Sequence, residues 1–460
     1  MTFIVRLLHM LPSPVSARTT DGRTLNYLRQ VKLSLVMRLL SVAMSFATTA
    51  ILLRAMSLEH YGVWSLLISV QAWIGLFDLG IGNGLRTRVA ENLAHGRPDE
   101  AARLIAIGYL AFTVIFVALA TGLVPLVLAV DWQALLNVTS IDTEELRLAV
   151  GLTAFLTSMI FVSNLINPVA AAIQKSSYTA VVGVVNATVF TGLALLMYLS
   201  GWVSVLTILV AQGVITVSIN IGFTIWFYRK QPELTPTPTL NLRGTRDLVS
   251  LSGGFFVIQA AMLVLFSTDR FLIVGLLGPQ DVPQYDVVFK LFSLFVTIQL
   301  MIGGPLWSAY TEAHQRGEYD WISRTIRIQI KVFLLLSAGC IALIFLSKPI
   351  INAWTGHTVT FGPGLASLMA VFAVLTMWNN TFGVILNGMG KLRIQLFTAT
   401  IGAASNIPLS IFFVKVLHFG VFGILLATTL CIALQSLLLP LVVFRIIQEQ
   451  QRRSRQEKDV

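Results

Sequence analysis

Six charged side chains stand inside long apolar stretches: Arg38, Asp78, Asp269, Arg270, Asp286 and Lys290. A charge near the centre of a bilayer costs roughly 3 kcal/mol on insertion scales, so such residues persist where a partner or a watery cavity receives them. Arg270 lies about two turns inside its apolar stretch, and a guanidinium there can grip the oxygens of an anionic group through paired hydrogen bonds. Asp269 would neutralise Arg270 or carry a coupling proton. The two are adjacent and diverge by about 100° on a helix, so at least one must meet a neighbouring helix. Asp286 and Lys290 stand at the spacing of an intrahelical ion pair, with Lys290 as a second cation. Arg38 would line a cavity or snorkel to headgroups. Asp78 would cap or pair at a helix end, or take part in the chemistry. The expected site therefore has Arg270, Arg38, Lys290 and Gln259 as ligand-binding groups. Asp269, Asp286 and Asp78 are its ion-coupling groups or charge partners.

Neutral polar groups form a second set. Asn164, Asn167, Asn186, Asn379, Asn380, Asn387 and Asn406 dot apolar segments, where amides bind hydroxyls or join helices. Pro168, Pro305 and Pro408 open the backbone ladder. Cys340 and Cys431 read as small hydrophobes. No metal-spaced cluster and no nucleophile–base arrangement is visible, and no cofactor is implied.

The elements that hold these residues are membrane helices. Apolar residues make up 56% of the 460 and charged residues only 12%, about half the charge of a soluble domain; the mean hydropathy is +0.80. Windows long enough to cross hydrocarbon, about 20 residues each, fall near 33–55, 61–83, 104–130, 147–172, 179–199, 203–228, 249–277, 284–308, 326–346, 363–388, 393–416 and 421–446. The expected organisation is a lead-in over 1–32, helices one to six over 33–228, a Pro- and Thr-rich linker over 229–248, helices seven to twelve over 249–446, and a basic tail over 447–460. The lead-in, broken by Arg6 and His9, is a poor signal peptide. Lys and Arg concentrate on one set of loops, which places both termini in the cytoplasm. That asymmetry accounts for the formal charge of +11 without a nucleic-acid partner.

The halves repeat. At a constant offset of 221 residues, Leu79-Gly-Ile-Gly matches Leu300-Met-Ile-Gly, and Leu85, Glu91, Gly96, Asp99 and Arg103 match Leu306, Glu312, Gly317, Asp320 and Arg324. Gln259 falls on Arg38 at the same offset. With six helices in each half, the two lobes share one sense and are related by a pseudo-twofold axis along the membrane normal. The expected fold is all-α, a polytopic membrane protein of about 12 transmembrane helices in two six-helix lobes.

The run Phe77-Asp-Leu-Gly-Ile-Gly-Asn-Gly-Leu-Arg86 after Tyr61-Gly-Val-Trp64 resembles the polysaccharide transporter branch of the superfamily that also holds multidrug extruders and the lipid II flippase. Ser267-Thr-Asp-Arg-Phe-Leu-Ile-Val-Gly-Leu-Leu-Gly278, and Tyr285 with Lys290, are similar to that branch too. The resemblance implies flipping of an O-antigen or related capsule or exopolysaccharide repeat unit. The expected cargo is a polyprenyl-diphosphate-linked oligosaccharide crossing a bacterial inner membrane, and with no ATP-binding motif visible in the sequence the expected drive is an ion gradient. The implied partners are that lipid-linked sugar, membrane lipids and polysaccharide assembly proteins. Two rivals remain: a multidrug extruder, which favours acidic cavity residues, and a membrane polymerase or ligase, which needs longer outer loops than the roughly fifteen residues near 131–146 and 347–362.

Overall fold

The computed structural model describes residues 22–74, 81–173, 176–237, 263, 267–303, 306–391 and 393–456. Asp78 and Gln259 lie outside them. Helices run in the order α1 (Gly22–Ala55), α2 (Leu58–Ile74), α3 (Ile81–Ala94), α4 (Pro98–Ala129), α5 (Trp132–Leu136), α6 (Thr143–Ser163), α7 (Ile166–Ala172), α8 (Ser176–Ser200), α9 (Val205–Lys230), α10 (Asp269–Leu276), α11 (Val282–Gly303), α12 (Leu306–Gln315), α13 (Tyr319–Thr355), α14 (Leu365–Gly388), α15 (Arg393–Lys415) and α16 (Gly420–Gln456). Among the described residues there is no strand, and ten helical spans are long and apolar enough to cross a membrane. The chain is a multi-pass all-α membrane protein. The second and seventh of the twelve apolar windows run into residues outside the described set, with α2 and α10 as their described parts.

Local chemistry sets the helix ends. Pro98 starts α4 with Asp99 and Glu100 in its first turn, where a proline N–H is not missed and acids face the positive helix end. Asp142 caps α6 by accepting from the N–H groups of Glu144 and Glu145, and Ser204 and Thr207 cap α9 reciprocally. Two expected loops prove partly helical. Asp131 caps the short α5 inside the 131–146 loop, and α13 runs on through Pro349 to Thr355. The tail is helical as far as Gln456, and Gln451 donates to Asp320 Oδ1 at 2.9 Å.

The chain divides into two compact units. The described residues of one lie in Gly22–Leu263 and Ile273–Pro283, those of the other in Val264–Leu272 and Gln284–Val460. In the first unit, the turn after Gly278 presses on α2 so closely that a β-carbon at Gly62 would lie 1.8 Å from the Pro279 carbonyl oxygen. Only glycine fits that approach.

The repeat is visible in both cores. One cluster contains Leu85, Val89, Ala101, Ile105, Phe161 and Leu165; the other contains Leu306, Tyr310, Ile322, Ile326, Phe382 and Leu386, each displaced by 221 residues. The α3–α4 and α12–α13 turns match as well. Gly96 has φ 69° and Gly317 has φ 71°. Arg97 N donates to Asn92 O at 2.9 Å, and Glu318 N donates to Ala313 O at 2.8 Å.

Candidate functional site

The second unit gathers four of the seven expected site residues. Helix α10 begins at Asp269, so this carboxylate sits in a first turn, where the N-terminal end of the helix favours negative charge. Asp269 is 1% exposed. Its Oδ2 accepts from the Tyr285 hydroxyl at 2.7 Å and its Oδ1 from the Thr428 hydroxyl at 2.8 Å. Thr428 in turn accepts from Asn406 Nδ2 at 2.8 Å, and Asn406 Oδ1 accepts from Thr268 at 3.2 Å. Asn406 and Thr428 are fully buried. A buried carboxylate is tolerable only when such donors replace water.

Arg270 points elsewhere, as the divergence of adjacent helical residues requires. Its Nε donates to Asp286 Oδ1 on α11 at 2.7 Å, with side-chain exposures of 23% and 7%. Its guanidinium carbon lies 6.0 Å from the Tyr285 ring centre and 5.9 Å from that of Phe289, within cation–π range. Lys290, one turn beyond Asp286, feels the charges of both Asp286 and Arg270. The expectation that one of the adjacent pair meets a neighbouring helix is met by both: Asp286 and Tyr285 are neighbours on α11, and each meets one of the diverging pair on α10.

Three expected site residues remain. Arg38 is exposed on α1, beside exposed Leu39 and Leu40. Asp78 and Gln259 fall outside the described residues. Sequence reasoning passed over Thr268 and Thr428, because threonines are common in membrane helices and carry no spacing signal. It also passed over Asn220, which donates to Asn164 Oδ1 at 2.8 Å and Ser163 Oγ at 3.2 Å. Among the described residues no group of His, Cys, Asp and Glu could hold a metal ion.

The cluster thus sets a buried carboxylate among hydroxyl donors, beside a cation with an aromatic face. Residues 27–310 match the family described as polysaccharide biosynthesis protein. The chain belongs to that family. Residues 255–412 of this polysaccharide biosynthesis protein also match the MatE model. A Salmonella typhimurium (strain LT2) protein named as an O-antigen transporter is 23% identical over 413 residues, covering 86% of this chain and 91% of that protein. A Yersinia pseudotuberculosis protein named as an O-antigen export protein is 23% identical over 364 residues, covering 77% and 82%. Among solved structures, a multidrug resistance MATE family transporter of the MOP superfamily shares the fold with a TM-score of 0.76 at 13% identity, covering 92% of this chain and 99% of that one. A Pyrococcus furiosus MOP superfamily transporter, whose title describes a binding pocket of reverse polarity, aligns with a TM-score of 0.66 at 13% identity, covering 92% and 96%.

Proposed function

We propose that the chain is a transporter that flips a polyprenyl-diphosphate-linked oligosaccharide from the inner to the outer leaflet of a bacterial cytoplasmic membrane by alternating access, both termini being cytoplasmic. The relatives named for O-antigen transport or export support this reading. The single observation that carries it is Arg270, a cation at the start of α10, braced by buried Asp286 and left partly open. A fork-shaped cation held in place beside Lys290 suits a diphosphate, whose charge would otherwise be costly to bring inside. In this reading, Arg270, Lys290 and Arg38 contact the anionic head, and Gln259 adds a neutral contact. Asp269, held by its own hydroxyl donors, is the place for a coupling ion, with Asp286 and Asp78 as charge partners.

The multidrug alternative has the shared fold and the MatE match over residues 255–412 behind it, but neutral or cationic drugs gain nothing from a presented guanidinium. Replacing Arg270 by alanine in the source bacterium tests the proposal. Surface polysaccharide should fall to background while the amount of protein in the membrane stays at the wild-type level. Normal polysaccharide would remove Arg270 from the site, and protein-dependent efflux of cationic dyes would favour the extruder.

A further inference from the structure

The first unit contains a neutral counterpart to this charged site, made by a proline. Pro168 brings no N–H and its ring collides with the carbonyl four residues back, at Asn164. The helix accordingly breaks there. α6 ends at Ser163 with Asn164 as its cap, α7 begins at Ile166, and the freed Asn164 carbonyl accepts from Asn167 N at 2.9 Å.

The Asn164 side chain is fixed by two neighbours. One atom of its amide receives Asn220 Nδ2 at 2.8 Å and Asn167 Nδ2 at 3.3 Å. Two N–H groups can converge only on an acceptor, so that atom is Oδ1, and the Nδ2 with its two protons faces away. It donates to no described residue. Asn164 is exposed, whereas Asn220, which braces it, is 3% exposed.

The side of the helix decides what it is exposed to. The exposed apolar stripe of α6 runs along Leu148, Leu152 and Phe155, the face that meets lipid. Asn164 lies about 160° around the helix from that stripe at 100° per residue. An amide opened on the face away from lipid, inside a membrane span, needs water or a polar ligand, since an unmet N–H in hydrocarbon is strongly disfavoured.

We infer that the Asn164 carboxamide, held by Asn167 and Asn220 at the Pro168 break, is a hydrogen-bond donor site for carbohydrate oxygens, separate from the cationic cluster. The inference rests on the transporter reading above and deepens it. The charged cluster takes the diphosphate, and this neutral amide takes the sugar. An uncharged donor suits hydroxyl, ring or acetamido oxygens, and offers a diphosphate much less than a guanidinium does.

The test uses the full-length protein in lipid nanodiscs and two probes: undecaprenyl diphosphate, and the same lipid carrying one N-acetylhexosamine. The wild type should bind the sugar-bearing lipid more tightly. Asn164→Asp keeps an oxygen for Asn167 and Asn220 but has no donor. It should cut the preference for the sugar-bearing lipid about tenfold, one hydrogen bond's worth, with the thermal midpoint little changed. Asn164→Ala supplies the same ratio if the aspartate does not fold. An unchanged ratio in the variants, or a wild type that binds both lipids equally, overturns the amide site and leaves the transporter reading standing. A wild type that binds neither lipid overturns both.

Discussion

The two halves of the chain keep the same packing and carry opposite chemistry. Core residues recur at the 221-residue offset from Leu85 and Leu306 to Leu165 and Leu386, and α1 and α10 end at equivalent residues, Ala55 and Leu276. Yet the second half places Asp269, Arg270, Asp286 and Lys290 where the first has Thr48, Thr49, Ser65 and Ser69. The first-half side chains are all buried and bond close to home: Thr48 meets Thr191 at 2.7 Å, and Ser69 donates to the Ser65 carbonyl at 2.9 Å. At the broken helix the contrast reverses. Asn164 and Pro168 correspond to Ile385 and Met389, and α14 continues intact through Ile385, which is fully buried. A duplicated scaffold can hold its apolar core constant while each half changes its polar groups. At these positions the second half holds the charges and the first a neutral amide, which suits a ligand with an anionic head and a hydroxylated body.

The strongest way to break the comparison is to make the second half resemble the first. Asp286→Ser takes the counter-ion from Arg270, and breaking a buried pair costs about 3–5 kcal/mol. The partial exposure of Arg270 lets water compensate, so about 2 kcal/mol of stability should be lost, read as a lower thermal midpoint in detergent. Ser65→Ala in the first half should cost under about 1 kcal/mol. Adding Arg270→Thr to Asp286→Ser should recover much of the loss. Equal costs in the two halves would mean the ion pair contributes no more than a serine hydroxyl.

A smaller effect sharpens the other side of the contrast. Pro168→Ala returns an N–H opposite the Asn164 carbonyl and makes the first half read like α14. Stability should rise by about 1 kcal/mol for the regained hydrogen bond, and the Asn164 amide should turn away, so that sugar preference drops by a few fold. A break that survives in the variant, seen as unchanged stability and preference, would show that Asn164 and its partners hold the kink without the proline.

The fold was legible because its signals are long. The apolar windows and the constant offset each draw on many residues. The charged cluster was half legible, since charges in hydrocarbon announce themselves but their partners do not. The contact of Asp286 with Arg270 on α10 depends on helix rotation, which no spacing along α11 announces. The Asn164 site was least legible. Its cause, a proline and the carbonyl four residues back, is local, but Asn220 is 56 positions away and one amide in an apolar segment looks like another.

Glu59 is a charged position of the first half whose counterpart in the second is neutral, and it carries the smallest prediction. Glu59 accepts from the backbone N–H groups of Thr139 at 2.8 Å and Ser140 at 3.2 Å, tying α2 to the 131–142 loop. Its counterpart, Gln280, is neutral and donates to the Leu277 carbonyl at 3.3 Å. Burial, the largest single influence on Glu59, would raise its pKa, but the hydrogen bonds from Thr139 and Ser140 together outweigh it and hold the carboxyl below its ordinary value. A carboxyl depressed in the folded state stabilises above its unfolded pKa, and that contribution vanishes as pH falls through the folded value. Acidification from about pH 6 to pH 3 should therefore cost the wild type more than Glu59→Gln, by under about 1 kcal/mol at a site this open to solvent. If the variant loses as much as the wild type, the charge on Glu59 adds nothing that its neutral counterpart in the second half lacks.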